Sequence, residues 1–260
     1  MKRFAKSWVA AAVCAAVAVG GAGTAQAADA VLEQIQKTGE FRVGVDATFA
    51  PFEFVKDGNK TGFDVELVEA IAKEIGAKRV DWVDIDFKGL IPGMLANRFD
   101  MISSAMYITE AREKVVSFSE PYYPGGLVVM VKADNAAIKT PADLDGKTVA
   151  VQIGTKSASY LPQHFPNAKV IEVETNAEMF AQVETGRADA TVTGKPAAKL
   201  YAQNHPTVKV LPEQVTVEEY GFAFRKENPE LLAAVNTAIA KLKSDGTYDK
   251  LVDKWFEAKH

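Results

Sequence analysis

The chain has a single cysteine, Cys14, and three histidines among its 260 residues. Cys14 lies inside an N-terminal apolar run, so the remainder has no thiol for a disulfide, a zinc site or nucleophilic chemistry. His164 and His205 stand beside proline or polar residues in segments that read as loops, and His260 is terminal; none has metal-ligand spacing. No metal or cofactor is expected. Positive charge is short as well: 30 Lys and Arg face 34 Asp and Glu, a formal net charge of −4. That balance argues against nucleic acid or an anionic membrane as partner. Beyond the first 27 residues there is no apolar run long enough to span a bilayer.

What stands at the N-terminus has the three parts of a secretory signal. Lys2, Arg3 and Lys6 precede an apolar run from Trp8 to Val19, and small residues follow, ending in Ala25-Gln26-Ala27. Cleavage is expected after Ala27, giving a periplasmic product. A membrane anchor is the alternative, but the run is short for one. A lipoprotein reading would use Cys14, yet Val13 before it is larger than such processing favours. Cleavage removes three of the 30 basic residues and none of the 34 acids, so 27 against 34 leaves −7 on the mature chain. At this length, one or two ordinary cores can hold an exported chain together without disulfides.

Strand and helix patterns then alternate. "FRVGVD" from Phe41 reads as a strand, and Val65, Val68, Ile71, Ala72 and Ile75 recur at helical spacing behind a possible cap at Asp64, with Gly76 ending the run. The cycle repeats through "RVDWVDI" with "GLIPGMLANR" and "DMISSAM" with "TEAREKV". After "SEPYYPGG" it restarts with the buried-type runs "LVVMV" and "KTVAVQI", a helix from about Ser157, and further strands at "KVIEV" and "ADATVT" flanking a helix at "NAEMFAQVETG". The tail gives a strand and a long amphipathic helix capped by Asn228, with Pro229 in its first turn and Gly246 past its end. Trp82 and Trp255 fit core positions. The expectation is α/β, two lobes with mainly parallel sheets, and a ligand site where strand ends face each other.

One arginine stands out. Thr109 can cap a helix beginning near Glu110, which puts Arg112 in the first turn, where the helix dipole disfavours a cation by roughly 0.3–1 kcal/mol. Either Glu110 and Glu113 offset it as an exposed pair, or a ligand carboxylate does. Charge and spacing leave both open. "SAS" at Ser157 to Ser159 reads as a helix start, since neither a nucleophile elbow nor a histidine partner accompanies it.

Several segments together, "FDVELVEAIAKEIG", "FKGLIPGMLANRFDMISSAMYITEAREKVVSFSEPYY", "LDGKTVAVQIGTKSASY", "GRADA" and "SDGTYDKLVDKWF", resemble the polar amino acid-binding proteins of bacterial ABC importers. The resemblance covers essentially all of the mature chain. It implies the two-lobed periplasmic binding protein fold of type II, with two connecting strands and a cleft between the lobes. Residues 28–121 and 221–260 would form lobe 1 and 127–215 lobe 2, with hinge strands at 122–126 and 216–220. Arg112 matches the arginine that clamps the ligand carboxylate, assisted by Ser104, Ala105 and Tyr107. Asp46, Phe49 and Phe87 match contact positions of the first lobe, and Gln152, Lys156 and Thr193 those of the second.

Two positions depart from the family pattern. Where the family usually has an aspartate for the ligand ammonium, this chain has Gly194 followed by Lys195, and a buried cation without an opposing charge is expensive. Asp46 or Glu53 are the residues that would take over that role. Tyr107 stands where a small serine or threonine is common. With Phe49 and Phe87 it would form an aromatic cage for a cation beside Asp46, as in relatives that bind ectoine-like or betaine-like solutes. Lys195 and Lys156 suggest the rival of a second ligand anion, a dicarboxylate or opine.

The resemblance thus implies a solute-binding component that hands an amino acid or similar zwitterion to an inner-membrane permease, as a monomer and without catalysis. A cyclohexadienyl (arogenate) dehydratase-like enzyme on the same fold is the alternative. It needs a proton donor, and the matching segment "GKPAAKLY" has no carboxylate.

Overall fold

The computed structural model describes residues 25–257. The expected signal sequence lies outside the described residues except for Ala25–Ala27, which open the first helix, α1 (Ala25–Thr38); Cys14 and His260 lie outside as well.

In chain order, β1 (Glu40–Val45) leads into a three-stranded meander of β2 (Thr48–Phe49), β3 (Glu53–Lys56) and β4 (Asn59–Thr61). Helix α2 (Phe63–Glu74), β5 (Arg79–Asp84), α3 (Leu90–Leu95), β6 (Met101–Ile102), α4 (Glu110–Glu113) and β7 (Ser117–Phe118) follow. The chain crosses through β8 (Tyr123–Pro124) and builds a second layer: β9 (Leu127–Lys132), β10 (Thr148–Gln152), α5 (Lys156–His164), β11 (Lys169–Val173), α6 (Asn176–Glu184), β12 (Ala190–Gly194), α7 (Lys195–Asn204) and β13 (Val208–Gln214). It returns through β14 (Glu219–Tyr220) to β15 (Ala223–Phe224), α8 (Pro229–Ser244) and α9 (Thr247–Val252).

Two five-stranded sheets result, ordered β5-β1-β6-β15-β7 and β11-β10-β12-β9-β13, and the crossing strands β8 and β14 pair antiparallel between them. The sheets are mixed rather than mainly parallel. Strands β1, β5 and β6 run parallel, as do β10, β11 and β12, but β15 and β9 are antiparallel to their neighbours. The reason is the crossing itself. A strand reached from a strand–helix unit ends at the cleft, whereas β9 starts there, so Leu127 pairs with Gly194, the last residue of β12.

Burial follows the sequence pattern where the pattern is strong. Strand β9 is buried on both faces from Leu127 to Val131, and α2 buries Val65, Leu67, Val68, Ile71 and Ala72. Helix α8 presents Leu231, Val235, Ala238, Ile239 and Leu242 to α1, α2 and α9.

Local details differ from expectation. Asp64 is not a cap: Gly62 occupies the N-cap with φ +130°, and Asp64 is fully buried. There it accepts from Tyr122 Oη (2.7 Å), Ala105 N (3.1 Å) and Ser103 Oγ (3.3 Å). Asn228 holds the N-cap position of α8, but its side chain makes no capping bond. His164 belongs to the last turn of α5, stacked on Tyr160, rather than to a loop.

Candidate functional site

Between the two sheets lies a narrow cavity; about 40 Å³ of it can hold the centre of a water molecule, and cleft residues of both lobes border it. Every residue expected to contact a ligand borders it except Lys195. Lys195 instead donates from Nζ to Gln214 Oε1 (3.2 Å) and lines a separate outer groove. Its backbone opens α7 just after β12, and that turn sends the side chain away from the cavity.

Arg112 is set by its short helix. Thr109 is extended (φ −142°, ψ 146°) and its Oγ1 accepts from Arg112 N at 3.3 Å, which fixes the first turn. The guanidinium folds back to donate from Nη1 to Tyr107 O (2.7 Å), reaches across the cleft from Nη2 to Gly154 O (3.2 Å), and lies 5.5 Å from the centre of the Phe87 ring. Among the described residues no carboxylate pairs with it within 4.0 Å, so neither Glu110 nor Glu113 offsets its charge as an ion pair. Burial lowers its pKa to about 10, against the opposing charge of Glu218, and it remains a cation at neutral pH.

The first-lobe wall is acidic. Asp46 follows β1 and is 5% exposed; its Oδ1 accepts from Thr48 Oγ1 (2.9 Å) and its Oδ2 from Gln152 Nε2 (2.6 Å) across the cleft. Asp46 N donates to Ser104 Oγ (3.1 Å), and that hydroxyl donates to Glu53 Oε1 (3.1 Å). Burial raises Asp46 to about 6, with Asp84 and Asp86 adding to the effect. Glu53 is wholly buried, and burial with the nearby charges of Asp64 and Asp46 pushes it well above the carboxylate range. Glu53 Oε2 and Asp64 Oδ1 each lack a donor. The two carboxyls are in hydrogen-bonding contact, so a proton held by Glu53 satisfies both.

The aromatic residues are more engaged than a free cage requires. Tyr107 stacks on Tyr220 (4.4 Å, 15°), accepts from Tyr220 Oη (2.8 Å) and Gly126 N (3.1 Å), and donates to Gly126 O (3.1 Å). Phe49 stacks on Phe52, and Phe87 carries the Arg112 guanidinium. The lysine pair proposed for a second ligand anion is also dispersed: Lys156 Nζ is 3.2 Å from Glu218 Oε1, and Lys195 points elsewhere.

Sequence reasoning missed Asn176, whose Nδ2 donates to Gln152 Oε1 (3.1 Å) and Thr48 Oγ1 (3.3 Å), orienting the Gln152 amide toward Asp46. Its place at the first position of α6, after the capping Thr175, was the available signal. Tyr220 was missed as a wall residue because it was read only as part of a connecting strand.

Comparison with known proteins places the chain in a family. The chain is 35% identical over 219 residues to ABC transporter arginine-binding protein 1 of Escherichia coli (strain K12), covering 82% of this chain and 89% of that protein. Its structure is similar to a mutant of ArgBP from T. maritima, with a TM-score of 0.84 and 40% identity over 87% of this chain and 99% of that one. It is similar also to AncCDT-1, an ancestral amino acid-binding protein described as a precursor of cyclohexadienyl dehydratase, with a TM-score of 0.81 and 46% identity over 86% and 99% of the two chains. The model of the bacterial extracellular solute-binding proteins, family 3, matches residues 41–258, and the chain belongs to that family.

Proposed function

We propose that the protein captures an amino acid or amino acid-like zwitterion in the periplasm and delivers it to an inner-membrane ABC permease, gripping the ligand carboxylate with Arg112. The observation that carries this reading is a half-buried guanidinium on the cleft wall, without a carboxylate partner within 4.0 Å among the described residues. Its planar fork suits a carboxylate held by two parallel hydrogen bonds. Lobe 1 comprises residues 28–121 and 221–260 and lobe 2 residues 127–215, hinged at 122–126 and 216–220. Closure about these strands forms the face that the transporter reads.

Isothermal titration of Arg112→Ala against a carboxylate ligand that the wild type binds tests the reading. Loss of detectable binding with a melting temperature within a few degrees of wild type is expected; unchanged affinity would refute it. Catalysis is not needed for this role. The segment Gly194 to Tyr201 carries no carboxylate to act as a proton donor. Incubation with prephenate is expected to yield no phenylpyruvate, and its formation would establish the enzyme.

A further inference from the structure

Positive charge gathers at one end of the cavity. Arg112 stands on the first lobe, and its Nη2 reaches Gly154 O (3.2 Å) in the turn just ahead of α5. Lys156, the first residue of α5, borders the same cavity. The first turn of α5 contains no acid, so its free N–H groups add to the field of the two side chains. A clamp for one carboxylate needs one cation. Here two border the cavity, beside a helix start.

Among the described residues, the acid that pairs with Lys156 is Glu218, which lies outside the cavity lining. Glu218 belongs to the returning connection between the lobes, where its carbonyl accepts from Gly125 N (2.8 Å) of the outgoing one. Its Oε1 is 3.2 Å from Lys156 Nζ, and the side chains of Lys156 and Glu218 are 26% and 18% exposed, so water screens the pair only in part. The charge of Glu218 also reaches Arg112, where it favours the protonated guanidinium.

We propose that Glu218 is a specificity-determining residue: by holding Lys156 it leaves the positive end of the cavity with charge for one carboxylate, so that acidic amino acids are rejected in favour of those with a single carboxylate. The inference rests on the reading of Arg112 as the clamp for that carboxylate. A ligand with a second carboxylate either takes Lys156 from Glu218, which leaves Glu218 unpaired in a partly dry position, or stays unpaired itself. Both cost affinity. A neutral amide of the same shape meets neither cost.

Calorimetry with L-glutamine and L-glutamate, nearly identical in shape and different in charge, tests this on the mature protein at fixed ionic strength. The wild type is expected to bind glutamate at least about tenfold more weakly than glutamine. Glu218→Gln keeps the size of the side chain and frees Lys156, and the ratio of glutamate to glutamine affinity is expected to rise at least about tenfold. The ratio is the readout because loss of a nearby negative charge strengthens every carboxylate on Arg112 alike. When Lys156→Gln is added to Glu218→Gln, the gain is expected to vanish. The inference is overturned by a wild type that binds glutamate as well as glutamine, by a rise below about tenfold, by a rise that survives the loss of Lys156, or by glutamate that does not bind Glu218→Gln at all. If Glu218→Gln melts well below the wild type, Lys156→Gln alone decides. It leaves Glu218 unpaired and is expected to lower the ratio further; a ratio that stays or rises overturns the inference. Arg112→Ala keeps the two readings apart: undiminished binding of glutamine to it refutes the clamp, whereas the change in ratio reports on Glu218 and Lys156.

Discussion

At the scale of single residues, the carboxyls of the first-lobe wall set two opposite pH dependences. Asp46 is raised to about 6 and Asp64 to about 6, mainly by burial, and burial pushes Glu53 well above the usual carboxylate range too. Between the ordinary carboxylate range and about pH 6 the folded protein therefore holds protons that the unfolded chain has released. Folding stability from these groups is greatest at the acid side of that window and declines as pH rises through it. The ligand-free protein is expected to melt at a higher temperature at pH 5.5 than at pH 7.5, and Asp46→Asn should flatten the slope. A cationic ligand needs Asp46 ionised, so its affinity should do the reverse and fall with decreasing pH below about 6. The charged groups that bear on Asp46 are Asp84 and Asp86, and both oppose its ionisation. Melting curves and titrations at the same pH values check both signs. A melting temperature rising toward pH 7.5 would contradict the first.

Position 194 gives a second test at this scale. The sequence showed that an aspartate was missing, but not why. The reason is steric, since Tyr107 and Tyr220 occupy the space a side chain would need, and two tyrosines distant in sequence come together only through the crossing strands. Gly194→Asp is accordingly expected to lower stability by about 1–3 kcal/mol through overpacking and not to improve binding of an α-amino acid. Denaturant unfolding measures the first part. Tighter binding of norvaline would show that the tyrosines yield.

Among the elements, the readable ones were those whose pattern is local. Thr109 was expected to cap α4 and does so, because a cap needs only neighbours three residues away. Its removal in Thr109→Ala should cost about 1 kcal/mol at most globally, yet weaken a carboxylate ligand several-fold, because α4 has four residues and little else fixes Arg112. Calorimetry at constant melting behaviour separates the two effects. Elements defined by long-range pairing were harder. Asp64 looked like a cap because acids favour helix starts, but the fold uses it to tie α2 to Tyr122 and the Ser103–Ala105 turn. Strands β2 to β4 were hidden by their shortness, and β13 by its bulge between Val210 and Gln214. The antiparallel placement of β9 and β15 follows from the crossing, which no local period encodes.

For the whole molecule, the question is which contacts hold the lobes together around a ligand. Among the described residues, four polar contacts bridge the cleft: Gln152 to Asp46 (2.6 Å), Asn176 to Thr48 (3.3 Å), Arg112 to Gly154 (3.2 Å) and Lys88 to Glu174 (2.5 Å). They differ in solvent exposure more than in length. Lys88 and Glu174 are 43% and 48% exposed, so water screens the pair and it contributes about 0–1 kcal/mol despite its short distance. Gln152 to Asp46 is buried and charge-assisted, in the range of about 1.5–3 kcal/mol, and it is braced by Asn176. A ligand that binds only when the cleft is shut has its affinity reduced by whatever closure free energy is lost. Lys88→Ala should therefore change ligand affinity less than about fivefold, and Gln152→Ala should weaken it by about tenfold or more. Asn176→Ala supplies the comparison: it removes the brace and the weaker bridge to Thr48 while leaving the Asp46–Gln152 contact in place, and an intermediate loss is expected. If Lys88→Ala has the largest effect of the three, closure is governed by surface charge rather than by the buried Asp46–Gln152–Asn176 chain.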